Sequence, residues 1–481
     1  MPIPFTQIPA ALLVPGQFQE VDNSLAGTSG EIKRALIIAY KGEAGTAPAG
    51  SPVRLLSDSR APALFGAGSQ AALLARAFLA LNRVEECWVL PVAAPPAATP
   101  WKKNFTVSVT TAQQGAIAIT VNGARIDAAA VATGTDASAI AAAIVARINS
   151  ELWLPVEAEA LGGGELSVKA VVPGAGGNAI SVTIASESAG VTVTEGYTTL
   201  GAQNANIKPL LEKLGSVRYN YIVCDFNDQG NISALADELT DRFSAMRQIG
   251  GRAFIALSGD TKAVLARAAA VNNPHIVLVP RMENPQLPGE WAARWCAAAS
   301  RILADDPAAN TYDLAVPGLT SAYTQDMDTR QALLMAGVAT YRTDAMSNVL
   351  IERLVTSFTE NTDGGRDTSF LDIQVPETVD AVRTHINAEA GRRFGKWKLA
   401  STEENFGSGA KVMTPGVYRS FLAELYSDVF IKGKQWCQDF ENYKKSIMVE
   451  VKQGSKTRLE YLHQPNLIGQ FYIGAGLLQF K

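Results

Sequence analysis

At 481 residues the chain can bury a sizeable core without metal or disulfide support. Its charged fraction of 18% is below the roughly 25% of ordinary globular domains, which fits either a surface largely covered by partners or a large enzyme with a well-buried interior. A net charge of −4 gives no global basic field for nucleic acid, and no run of about 18 apolar residues reads as a membrane span.

Residues 1–30 are rich in Pro, Gly and small polar residues and hold only short apolar pieces. Such a segment cannot form its own core, so it is either disordered or an extended arm laid on something else. The start lacks a basic n-region and its apolar run is broken by prolines, so it does not read as a signal peptide.

An α/β rhythm then begins. Ala35–Tyr40 reads as a buried strand, Ser69–Leu81 as a helix with Ser69 as N-cap, and Cys87–Val92 as a second strand. Ala93–Pro100 reads as a linker. Residues 101–199 have a different texture. Phe105–Val109, Ile117–Val121, Leu166–Val172 and Ile180–Ile184 read as short strands, and Thr135–Asn149 as an Ala-rich helix. Asn122-Gly123 is a hairpin turn signal.

The rhythm resumes with strands at Tyr219–Asp225, Ala253–Leu257 and His275–Pro280, and helices at Ile232–Ile249, Thr261–Val271 and Gly289–Ala304. Strands alternating with helices of this length predict a mostly parallel sheet covered on both faces. From about 371 the predicted helices are Pro376–Phe394, Gly416–Phe430 and Gln435–Ile447. Strands are expected at Ile447–Val451, Arg458–His463 and Phe471–Phe480.

The predicted fold class is thus an α/β core with an inserted β-rich α+β domain, an α+β C-terminal domain and extended terminal arms. The boundaries are 1–30 for the N-terminal arm, 31–98 with 200–370 for a discontinuous core, 101–199 for the insert, 371–463 for the C-terminal domain and 464–481 for the C-terminal arm.

Cys87, Cys224, Cys296 and Cys437 are widely spaced and read as buried free thiols in a reducing compartment. There is no P-loop, no nucleophile elbow and no His-x-x-x-His pair, and only His275, His385 and His463 are available to a triad. No catalytic, metal or cofactor site is expected. Arg353 sits among apolar neighbours and needs a carboxylate; Asp367, returning after the Asp363-Gly-Gly turn, is the expected partner in a structural ion pair.

The ends differ in charge. The first 32 residues carry Glu20, Asp22 and Glu31 and no Lys or Arg; Lys432–Lys481 holds eight basic against four acidic residues. Two termini that cannot fold alone suit strand addition between subunits. The residues expected to carry it are Val14, Phe18, Glu20 and Val21 in the first arm, and Phe471, Ile473, Leu477, Leu478 and Phe480 in the second.

Several stretches resemble the tail sheath proteins of contractile phages, especially the Mu-like branch: Val14-Pro-Gly-Gln-Phe-Gln-Glu-Val-Asp-Asn-Ser24, Ile351-Glu-Arg-Leu-Val-Thr-Ser357, Asp367-Thr-Ser-Phe-Leu-Asp372, and Ile119–Ile126 with its Ala-rich helix and Gly-Ala-Gly-Gly-Asn. Gln17 and Gln19 depart from the more apolar residues of that pattern. The resemblance implies a structural, non-enzymatic subunit. Such a subunit builds six-fold rings or a helical polymer of itself around a tail tube protein, meets baseplate and tail terminator proteins, and keeps its connectivity through terminal arms during contraction. It further implies a tube-facing C-terminal domain, an outward-facing insert, assembly in the host bacterial cytoplasm and residence in the virion tail, with neither nucleic acid nor membrane as a partner. The alternatives are the sheath of a phage-tail-like bacteriocin or injection device and, in another class, an α/β hydrolytic enzyme with an accessory domain.

Overall fold

The computed structural model describes residues 32–404, 406–407 and 409–480. Its centre is a six-stranded sheet in the order Ile276–Arg281, Arg252–Ser258, Tyr221–Cys224, Arg34–Tyr40, Glu86–Val92, Val53–Leu55. The first five strands are parallel; the short edge strand Val53–Leu55 runs antiparallel.

Period-two alternation decides what each face meets. Ala35, Ile37 and Ala39 pack with helices Gln70–Leu79 and Pro288–Leu303. Leu36, Ile38 and Tyr40 pack with helices Gln229–Phe243 and Thr261–Ala268. All but Tyr40 of these strand residues are fully buried, so both faces are apolar, as a parallel sheet requires. Local chemistry sets the helix starts. The Ser69 hydroxyl accepts from the amide of Ala72 at 3.3 Å, and Asp260 Oδ1 accepts from Ala263 N at 2.8 Å.

Residues 102–199 hold two antiparallel sheets that share no strand with the central one. One runs Val191–Thr199, Lys102–Val109, Glu165–Ala170, Val156–Gly162; the other runs Ala124–Val131, Gly115–Val121, Val182–Ser186. Asn122 (φ 50°) and Gly123 (φ 80°) form the hairpin turn with both central residues left-handed. This region is not apart from the core. Phe105, Val107, Ile140 and Ile144 belong to the same apolar cluster as Ala35 and Trp291, and Arg76 lies over the Trp153 ring at 4.5 Å.

A three-stranded sheet, Leu314–Thr320, Asn348–Arg353, Thr340–Thr343, follows the central one. Trp291 and Trp295 meet Tyr341 edge-on beneath it, at 5.8 and 6.4 Å.

The C-terminal region starts with the long helix Gln374–Phe394, which buries Val382 and Ile386. Pro415–Glu424 continues without a break into a π-helical segment, Leu425–Gly433. The helix expected over Gln435–Ile447 is shorter. Asp439 takes a left-handed conformation and its side chain caps a helix at Phe440–Ser446, while Cys437–Gln438 goes into a strand. Trp436, Tyr443 and Ile447 still share one core with Phe421, Tyr426 and Phe430, because Tyr426 and Tyr443 stack with centroids 3.5 Å apart. The strand expected over Phe471–Phe480 is not formed in the single chain. A strand needs an edge to pair with, and none is offered here.

A buried ionic network ties the long helix to the amino end of the central sheet. Arg252, fully buried, pairs with Glu377 at 3.2 Å and reaches His275 Nδ1 at 3.1 Å. A guanidinium only donates, so Nδ1 accepts and the imidazole proton sits on Nε2. Asp380 accepts from Arg218 at 2.6 Å and from Arg383 at 2.7 Å.

Candidate assembly interface

The C-terminal region carries three two-stranded sheets, Lys398–Leu399 with Val412–Met413, Cys437–Gln438 with Asn466–Leu467, and Met448–Val451 with Leu459–Leu462. Sheets this narrow leave backbone donors and acceptors on their outer edges, ready to pair with another chain. Met448 and Leu462 are exposed on the last of them.

The chain then crosses back to the α/β core. The Tyr426 hydroxyl donates to the carbonyls of Gln438 (2.6 Å) and Asn466 (3.2 Å), which holds the strand Asn466–Leu467 in place. Gln470 donates to the Ala308 carbonyl at 3.0 Å, and Asn310 donates to the Phe471 carbonyl at 3.2 Å. Tyr472 is half-buried. Gln374 Nε2 donates to its hydroxyl at 3.3 Å, and Arg353 lies over its ring at 4.8 Å. Beyond it, Ile473, Leu477, Leu478 and Phe480 are exposed, as is Phe471 just before it; Leu478 and Phe480 are 90% and 92% exposed. Apolar side chains this bare in a row mark a surface that something covers.

All five apolar residues expected in the C-terminal arm are exposed, and part of the stretch 464–481 expected to form it lies against the body. Residues up to Tyr472 are fastened to the body. Val14, Phe18, Glu20 and Val21 of the N-terminal arm lie outside the described residues.

The ion pair at Arg353 has a different partner from the expected one. Asp372, not Asp367, accepts from Arg353 Nε at 2.8 Å and from Nη2 at 3.0 Å. Asp367 is spent inside its own turn, where Oδ1 accepts from Ser369 N at 2.8 Å. The isolated bridge between Val355 and Asp372 brings Asp372 beside the end of the strand that carries Arg353. Sequence reading missed Asp372, Gln374, Tyr426 and Tyr472. The one available signal was Tyr472 itself, a phenol among purely apolar neighbours, whose hydroxyl needs a partner once it is buried.

The three histidines stand in separate settings. Burial, with the Arg252 and Arg383 charges, pushes His275 down to about 2, so it stays neutral. His385 lies edge-on to Phe430, and His463 Nδ1 meets the Tyr443 hydroxyl at 3.1 Å. Among the described residues no group of three or more His, Cys, Asp or Glu is placed to hold a metal ion.

Residues 200–357 match the family model of the phage tail sheath protein central domain. The Mu-like prophage FluMu tail sheath protein of Haemophilus influenzae is 29% identical over 492 aligned residues, with both chains covered completely. Solved structures with similarity include the sheath tail protein of Desulfitobacterium hafniense (TM-score 0.46, 13% identity, 95% of this chain and 100% of that one) and the contracted helical sheath of the anti-feeding prophage (TM-score 0.47, 11% identity, 97% and 99%). Residues 200–357 are thus similar to the central domain of phage tail sheath proteins, and the whole chain is similar from end to end to a Mu-like tail sheath protein.

Proposed function

We propose that this chain is the sheath subunit of a contractile phage-type tail, a structural protein that polymerises with itself around an inner tube. On contraction, the polymer drives the tube through the host envelope during genome delivery. The end-to-end match to a Mu-like tail sheath protein carries this reading. The exposed apolar tail after Tyr472 and the open two-stranded sheets of the C-terminal region support arms exchanged between subunits, with main-chain hydrogen bonds giving affinity and alternate side chains giving register. The N-terminal arm would add its strand in the same way. A tube protein, a baseplate and a tail terminator complete the assembly. The 101–199 region would face outward and the C-terminal domain the tube.

Electron microscopy of the purified protein tests the reading. Long hollow polymers are expected. Discrete small oligomers that turn over a peptide or ester substrate would replace it with the hydrolase alternative.

A further inference from the structure

We infer that Tyr472 is the positioning residue that fixes where the C-terminal arm leaves the subunit and which face each arm residue presents; this rests on the arm reading above. Three separate parts of the body converge on the anchor. Arg353 ends a strand of the three-stranded sheet, Gln374 opens the long helix, and Ala308 and Asn310 lie in the loop after helix Pro288–Leu303. The contacts involve side chain and main chain together: the ring under the Arg353 guanidinium, the hydroxyl bonded to Gln374, and the Phe471 carbonyl bonded to Asn310. Arg353 is itself held flat by its fork on Asp372, so the cation presented to the ring is pre-oriented.

Two consequences distinguish an anchor from an ordinary surface contact. The first is reach. From Ile473 to Phe480 an extended chain spans at most about 28 Å, so the acceptor edge on the next copy must lie within that distance of Tyr472. Without the contacts at Gln470, Phe471 and Tyr472, the tether would start at Ile468, whose amide donates to the Trp436 carbonyl at 2.9 Å, and the arm tip would search a larger volume. The second is register. In a strand, Leu478 and Phe480 share the parity of Tyr472, and Ile473 and Leu477 take the other face. Holding the Tyr472 ring against the body therefore decides which pair faces the acceptor's core. A one-residue slip would exchange the two sets.

The test uses the full chain. Nitroxide labels at Ala475→Cys and Met246→Cys report the distance from arm to body in unassembled protein. The four native thiols are buried, so the added cysteines react selectively. Tyr472→Ala should broaden the distance distribution, and in the unlabelled chain it should raise the concentration at which polymer appears by about 2-fold or more. Tyr472→Phe keeps the ring and should do neither, and both variants should melt like the parent. An unchanged distribution in Tyr472→Ala overturns the anchor. A broadened distribution with an unchanged polymerisation threshold overturns its role in assembly. Deleting 473–481 separates the underlying reading: normal polymer from that protein removes the arm itself, and the positioning role with it.

Discussion

Arg353 holds Asp372 through two parallel hydrogen bonds, of 2.8 and 3.0 Å, and not Asp367, which is nearer in sequence and follows the Asp363-Gly-Gly turn. The pair is mostly shielded, with the two side chains 25% and 21% exposed, and its geometry is the bidentate one. Asp372→Asn should lower stability by about 1–3 kcal/mol in urea unfolding. Asp367→Asn should leave the midpoint where it is, because that carboxylate serves an exposed turn. The reverse ranking would return the partnership to Asp367.

The Arg252–Glu377 pair fastens the long C-terminal helix to the central sheet. Glu377→Ala strands a guanidinium that has no solvent access, and the expected loss is about 3–5 kcal/mol. Replacing both partners, Arg252→Met with Glu377→Leu, removes the desolvated charges together and should recover most of that loss. Equal damage from the single and double variants would mean that the ion pair itself, beyond its mutual compensation, stabilises the junction.

Glu85 is buried between the end of helix Gln70–Leu79 and helix Pro288–Leu303. Its Oε1 has no hydrogen-bond partner among the described residues, and Ser300 donates to Oε2 at a long 3.5 Å. Burial pushes the carboxyl up to about 7, from an ordinary value of 4.5. The folded state therefore holds a proton that the unfolded state gives up, and this contribution to stability is present below about pH 4.5 and lost as pH rises through about 7. Glu85→Gln should match the parent near pH 4.5 and exceed it at pH 8 by on the order of 3 kcal/mol. Parallel pH profiles for the two proteins would show that Glu85 does not titrate in that window.

Two truncations separate the body from the arm. Removing 473–481 should leave the melting temperature unchanged and abolish long polymers. Removing 464–481 should also lower the melting temperature, because it takes away the strand paired with Cys437–Gln438 and the Asn466 groups bonded to Tyr426. Sedimentation and negative-stain imaging beside a thermal melt read both effects. Full-length polymer from both truncated proteins would eliminate arm exchange at this end.

The central sheet was legible because a parallel strand is apolar on both faces and is bounded by turn residues. Ala35–Tyr40 differs from the observed Arg34–Tyr40 by one residue. The Asn122-Gly123 hairpin was legible because few other residues accept two left-handed conformations in succession. What failed depends on partners distant in sequence. Val191–Thr199 takes its place from Lys102–Val109, much earlier in the chain, whereas Val156–Gly162 forms a local hairpin with Glu165–Ala170 whose alternation Val-Glu-Ala-Glu-Ala was available in the sequence and was missed. The stripe Trp436, Phe440, Tyr443, Ile447 has helical spacing, yet Asp439 turns left-handed inside it, because the Cys437–Gln438 strand needs the chain to change direction. Asp372 was hidden for the same reason. Charge and spacing point to an acid near Arg353, but only the folded path after the turn says which one. The tail was legible as apolar and alternating, but the depth of its docking was not, since that rests on Gln374 and Asn310 reaching it from elsewhere.

The middle of the central sheet pairs Ala35 with Tyr221 and Ile38 with Cys224. A ribosome making 5–20 residues per second leaves an interval on the order of 10 s between the emergence of Val92 and of Tyr221. During that time, one edge of Arg34–Tyr40, fully apolar apart from its first and last residues, has no permanent neighbour. The hairpin Gly115–Val121 with Ala124–Val131 can close locally in the meantime, as can the pair Val156–Gly162 with Glu165–Ala170. The nascent chain thus spends those seconds with closed hairpins beside a half-built, adhesive centre. Yield during expression should be limited by that interval, and slower initiation, which spaces the nascent chains apart, should improve it more than any change to the finished surface.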